Sequence, residues 1–137
     1  MSRLELVRPE SLTDQVPYAY ATVVPPGRTV FTAGACPLDA AGDVVAEGDL
    51  PGQARQVMAN LRTTLEAAGC TLADVAKSTV YVASSRRADL VAAWGVVREE
   101  LGDHDAPSTL LGVTVLGYPG QLVEVEAVAV QPVTDPA

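Results

Sequence analysis

The most constraining segment of this chain is Gln121 to Val130, Gln-Leu-Val-Glu-Val-Glu-Ala-Val-Ala-Val. Strict alternation of β-branched and small residues predicts a strand. Val123, Val125, Ala127 and Ala129 form one face, and Leu122, Glu124, Glu126, Val128 and Val130 form the other. An antiparallel strand with one wet face is apolar on one side and polar on the other. Here both faces are substantially apolar, so both need cover, and helices on one side supply only half of it. The segment therefore predicts a sheet with a partner subunit on its second face.

The rest of the chain supplies the sheet and the helices. Tyr18 to Val24 reads as a strand ending at Pro25-Pro26-Gly27, with Arg28 to Ala33 as its hairpin partner. Gly34 to Gly48 is loop-like. Asp49 and Pro51 open a helix and Gly69 closes it, with Ala54, Val57, Met58, Leu61, Leu65 and Ala68 on one face and Gln53, Arg55, Arg62 and Glu66 at polar positions between. Val75 to Ala83 is a strand. Ser84 or Ser85 caps a second helix with Asp89 in its first turn. Leu90, Val91, Trp94, Val97 and Leu101 form its apolar stripe, and Gly102 ends it. Leu110 to Leu116 is a strand, joined to the last one by Gly117-Tyr118-Pro119-Gly120, which suits a hairpin. The order β-β-α-β-α-β-β predicts an α+β fold, one sheet with two helices on one face. The ends, including the tail Gln131 to Ala137, are the unstructured candidates.

Composition narrows the function classes. The 137 residues suit a single domain over 1–137, and 48% hydrophobic content excludes disorder. Seventeen acidic residues against nine basic ones give a net charge of −8. That balance argues against nucleic acid and acidic lipid surfaces, which are held by clustered Lys and Arg. No apolar run approaches a membrane span, and Met1 to Glu10 has no leader-like apolar core. Cys36 and Cys70 fit neither a disulfide framework nor a zinc pattern, so they read as free thiols of a cytoplasmic protein.

Few residues carry chemistry. Gly34-Ala35-Cys36-Pro37 and Gly117-Tyr118-Pro119-Gly120 lack the spacing and lysine of a phosphate loop. Asp103-His104-Asp105 holds the only histidine, but three consecutive loop residues rarely converge on a metal, and there is no nucleophile elbow. Cys36 and Cys70 read as small buried apolar residues, since no cation in sequence lowers either thiol's pKa. Glu124 and Glu126 stand out: two apart on one strand face among valines, with Cα atoms about 7 Å apart. Either they keep the strand soluble, or one of them positions or deprotonates a water molecule.

Around these carboxylates the sequence resembles the Rid family, also called YjgF or reactive-intermediate deaminases. Pro17-Tyr18, Val30 to Pro37, Gln53, Asn60 and Leu61, Leu65 to Gly69, Val75 with Lys77 to Val82, and Val123 to Ala129 match its signatures in order over nearly the whole chain. The resemblance implies a chorismate-mutase-like fold and a homotrimer whose sheets line a central barrel, with small-molecule clefts between subunits and no cofactor or metal. It assigns the catalytic glutamate to Glu124 and the cleft tyrosine to Tyr18. The strand segment Ala33, Gly34, Ala35 and Cys36 and the segment Ser108, Thr109 and Leu110 become the substrate-binding positions.

The departures from the family pattern set the functional expectation. Its Pro-Ala-Arg-Ser/Thr motif corresponds to Ala106-Pro107-Ser108-Thr109, so Ser108 stands where the carboxylate-binding arginine belongs. Ala33 and Ala35 replace the serine and glutamine of Ser-Gly-Gln, and Ala92 replaces a second-helix asparagine. Losing a charge-assisted bidentate contact costs about 2–5 kcal/mol. Arg28, Arg86 and Arg87 are the cations available as substitutes. The expectation is hydrolysis of a small imine, enamine or related molecule, with poor activity on 2-imino acids. In that reading Glu124 is the base, and Thr109 with the backbone near Leu110 binds oxygen. The alternatives are a non-catalytic small-ligand binder and a ribonuclease or chaperone-type relative.

Overall fold

The structure is a computed structural model that describes residues 4–131 and 133. The expected tail beyond Gln131 falls largely outside these residues. Nine elements follow one another: strands β1 (Glu5–Val7), β2 (Ala21–Val23) and β3 (Arg28–Phe31), helix α1 (Leu50–Ala67), a short 3-10 turn (Leu72–Asp74), β4 (Val75–Val82), α2 (Arg87–Leu101), β5 (Ser108–Gly112) and β6 (Val123–Gln131). The α+β class holds. The main sheet has the order β3-β6-β4-β5, while β1 and β2 form a separate two-stranded ribbon.

Helix α1 follows from its ends and its stripe. The Asp49 side chain accepts from the Gly52 amide at 3.0 Å, and Pro51 occupies the first turn, where its missing N–H goes unused. Gly69, at φ 79°, takes the left-handed turn that releases the chain. Val57, Met58, Leu61 and Leu65 are fully buried, each worth about 1.5–3 kcal/mol. They pack on Val80, Val82, Val123, Val125, Ala127 and Ala129, the inward faces of β4 and β6. In α2 the stripe is shifted: Ala93, Val96, Val97 and Leu101 are buried, whereas Val91 is 65% exposed. Arg86, rather than a serine, is the N-cap residue. The Ser84 hydroxyl still serves this end, accepting from the Arg86 amide at 3.0 Å and donating to Asp89 at 2.6 Å.

Neither expected hairpin forms. β2 pairs antiparallel with β1, and β3 pairs with β6. Pro25-Pro26 offers no amide to a ladder and carries the chain from one sheet to the other. Likewise β5 does not pair with β6, because β4 lies between them, parallel to β5 and antiparallel to β6. Parallel β4 and β5 need a crossover, and α2 is that crossover. The segment 113–122 then crosses the end of β4 to reach β6.

With both helices on one face, the other is open. Register places Phe31, Val128 and Lys77 in one row across it, Glu126, Thr79 and Thr109 in the next, and Glu124, Tyr81 and Leu111 in the third. Phe31 is 77% exposed, an apolar residue on the face for which the sequence demanded cover.

Candidate functional site

The expected site residues gather in two groups. The first surrounds Glu124. Ala35 bridges Val125 through two backbone hydrogen bonds, Ala35 N to Val125 O at 2.7 Å and Val125 N to Ala35 O at 3.2 Å. This lays the 33–36 segment alongside Glu124. Gly34 passes directly under the carboxylate: a β-carbon there would overlap Glu124 Oε2. Glu124 Oε1 accepts from the Cys36 thiol at 3.2 Å and from Gln121 Nε2 at 3.1 Å. Cys36 is thus a polar partner of the glutamate rather than a buried apolar filler. Burial and the adjacent carboxylate raise its pKa to about 11, so the thiol keeps its proton at neutral pH. Cys70, by contrast, is buried as the sequence predicts.

Two amides on α1 fix this group. Asn60 Nδ2 donates to the carbonyls of Cys36 and Leu38, both at 2.9 Å. Gln53, a polar position between the stripe residues, is fully buried. Its Nε2 donates to Gly120 O at 2.9 Å, and its Oε1 accepts from Leu122 N at 2.8 Å. Seven residues apart on one helix face, they hold the two loops that carry Cys36 and Gln121 to Glu124. Glu126 has a different neighbour, the Tyr81 hydroxyl, which donates to it at 2.8 Å and whose pKa is raised by that bond.

The second group lies at the start of β5. Tyr18, Ser108 and Thr109 border two adjoining hollows of about 490 and 450 Å³; Tyr20 and Lys77 complete one, Trp94 and Leu110 the other. Tyr18 meets Tyr20 and Trp94 edge-on, with ring centroids 6.2 and 6.5 Å away. Arg8 fixes its backbone, donating to Tyr18 O at 3.2 Å and to Asp105 at 2.7 Å. The Ser108 hydroxyl donates to Ala106 O at 3.0 Å and lies in short contact with Ser78 Oγ, so its polarity is already engaged by the protein. Thr109 Oγ1 accepts from Lys77 Nζ at 2.6 Å.

Several expectations resolve by placement. Arg28, Arg86 and Arg87 are exposed and border neither hollow. His104 Nε2 donates to Val75 O at 2.7 Å and Asp105 pairs with Arg8, so the Asp-His-Asp run is a structural loop. No three His, Cys, Asp or Glu side chains converge among the described residues. Nor, among these residues, is any helix long and apolar enough to cross a membrane. Gln121, Trp94 and Lys77 were missed as site residues. Lys77 alone carried a signal, a charge on a strand otherwise built from Val, Ala, Ser, Thr and Tyr.

Glu124 is opposite Tyr81, and Ser108 is opposite Ser78 on the far side of β4. Two strand spacings and three residues separate them, about 14 Å between Cα atoms. Ser108 and Leu110, in register with the buried Ser78 and Val80, also face the helix side, whereas Glu124 lies on the open face.

A mixed sheet with two helices on one face and a carboxylate-bearing strand open on the other defines a chorismate-mutase-like domain. Comparison with known proteins gives the narrower assignment. The family model described as Endoribonuclease L-PSP matches residues 11–131. A RutC family protein of Pyrococcus horikoshii is 34% identical over 110 residues, 80% of this chain and 85% of that protein. A 2-iminobutanoate/2-iminopropanoate deaminase of Capra hircus is 32% identical over 115 residues, 84% of this chain and 80% of the relative. The crystal structure of a protein of the conserved Rid family from Yersinia pestis superposes with a TM-score of 0.85 at 34% identity, covering 93% of this chain and 98% of that one. The chain belongs to the Rid family.

Proposed function

We propose that the chain works as a cytoplasmic homotrimer of single Rid-like domains. The Glu124 group of one subunit faces the Tyr18–Ser108–Thr109 group of the next, and each such cleft hydrolyses a small imine or enamine. The supporting observation is the division of the site: a carboxylate held by Gln121 and Cys36, and an aromatic hollow about 14 Å away on the same sheet. Cyclic packing that sets the open face of one subunit against the β5 edge of the next brings unlike groups together and covers Phe31. The relatives named as imine deaminases supply the reaction class.

The geometry suits water addition to a C=N bond. With Cys36 and Gln121 on Oε1 of Glu124, Oε2 is left to receive a proton from water. The water oxygen bonds to the imine carbon, and the C=N electrons become an N–H bond using a proton from solvent. The proton held by Glu124 then reaches nitrogen, the hydroxyl gives its proton back to solvent as its oxygen forms the C=O bond, the C–N bond breaks, and a carbonyl compound and ammonia leave. Cys36 keeps its proton and serves as a hydrogen-bond donor, not a nucleophile. The engaged Ser108 cannot clamp a carboxylate bidentately, so 2-imino acids as small as 2-iminobutanoate are poor substrates.

Generating an imine in place with an amino-acid oxidase and following its decay tests the reading. Acceleration by wild type and its loss in Glu124→Ala are expected. No acceleration of any imine, with ligand binding retained, would leave the protein a binder. Sedimentation equilibrium should give three times the 14.2 kDa chain mass, about 43 kDa.

A further inference from the structure

We propose that Lys77 is the anion-binding group of the cleft, and that its ligands are acids with a bulky apolar body that lies on Tyr18, Trp94 and Leu110. The inference deepens the reading above and rests on it for the cleft. Among the described residues, Lys77 is the only charged side chain bordering the two hollows. Its Nζ donates to Thr109 Oγ1 at 2.6 Å and to Ser78 O at 3.3 Å. An ammonium has three donors, so one remains. No carboxylate lies within ion-pair distance of it among the described residues, in a chain with a net charge of −8. Partial burial lowers its pKa, the mark of a cation that has lost water without gaining a counter-charge.

The apolar half of the ligand follows from the aromatic distribution. The chain has one Trp, four Tyr and one Phe, and Trp94, Tyr18 and Tyr20 stack edge-on along this cleft. Such rings give apolar contact at low entropic cost. Lys77 is a point charge on a flexible stem, on β4 beside the start of β5, where a residue-108 arginine would begin. Recognition therefore shifts from a short acid gripped at residue 108 to a longer one spanning the aromatic wall and Lys77.

Trp94 is the sole tryptophan, so its fluorescence reports binding without turnover. The probes are 4-methyl-2-oxopentanoate and its uncharged amide, titrated into the full-length protein. Wild type should bind the acid at least about 10-fold tighter than the amide. Lys77→Met should abolish that preference through the acid alone, and Lys77→Arg should keep it. Equal wild-type affinity for acid and amide would overturn the proposal before any variant is made. So would Lys77→Met, folded by circular dichroism, with unchanged acid affinity. Glu124→Gln should bind the acid normally, so a failure of hydrolysis and a failure of anion binding give separate results.

Discussion

The thiol of Cys36 donates to Oε1 of Glu124 across 3.2 Å, joining the segment that follows β3 to the last strand of the sheet. Gln121 donates to the same oxygen. The proposed base is therefore oriented by two donors from different loops, each loop tied to α1 by a side-chain amide.

Alkaline titration should reveal the Cys36 bond. The folded thiol titrates at about 11 against 9.0 for a free one, so neutral Cys36 supports the fold. That contribution is complete below pH 9 and is lost as pH rises through 11. At neutral pH its thiolate fraction is about 100-fold below that of a free cysteine, slowing alkylation by a similar factor. Glu124→Gln removes the negative charge and should move the titration down. Thiolate absorbance near 240 nm, followed in a Cys70→Ala background, is the measurement.

Gly34→Ala should disable the site without unfolding the protein. Its β-carbon would displace the Glu124 carboxylate, and a misplacement of about 1 Å costs about 100-fold in rate. Gly34 is not in the left-handed region, so backbone strain is not the cause. Turnover and circular dichroism together check this: a large rate loss with an unchanged spectrum.

Gln53→Leu should lower stability by about 2–4 kcal/mol per chain, because Leu122 N and Gly120 O lose their partner. Asn60→Leu strips the Cys36 and Leu38 carbonyls in the same way. Denaturant melts measure both losses, and both variants should hydrolyse more slowly even where folded.

Ser108→Arg should raise kcat/KM for 2-iminobutanoate by about 10-fold, provided the new guanidinium reaches the cleft. The gain is limited, since Ala33 and Ala35 offer no supporting side-chain hydrogen bonds. Wild-type turnover equal to that of an arginine-bearing relative would contradict the role given to residue 108.

Local pattern explains what was legible in the sequence. Helix α1 showed its cap at Asp49, its stripe and its stop at Gly69, and β4 and β6 showed their alternation, because these signals lie within one element. Strand partners do not: Pro25-Pro26-Gly27 and the turn at 117–120 both look like hairpins, yet β2 and β5 find partners elsewhere. Gln53 read as a polar position beside the stripe, and its burial did not show, because its partners are backbone groups in the distant 120–122 segment. Lys77 showed in the sequence only as a charge on β4; its place beside Thr109 comes from the parallel register.

The central claim, that each site is built from two subunits, is tested most directly by mixing two inactive variants. Glu124→Gln destroys one group and Tyr18→Ala the other. Random re-assembly of equal amounts into trimers places an intact Glu124 group against an intact Tyr18 group in about a quarter of the clefts. Recovery of about a quarter of wild-type hydrolysis is the result expected. Mixed trimers, verified by mass, with no more activity than either parent would contradict the shared site.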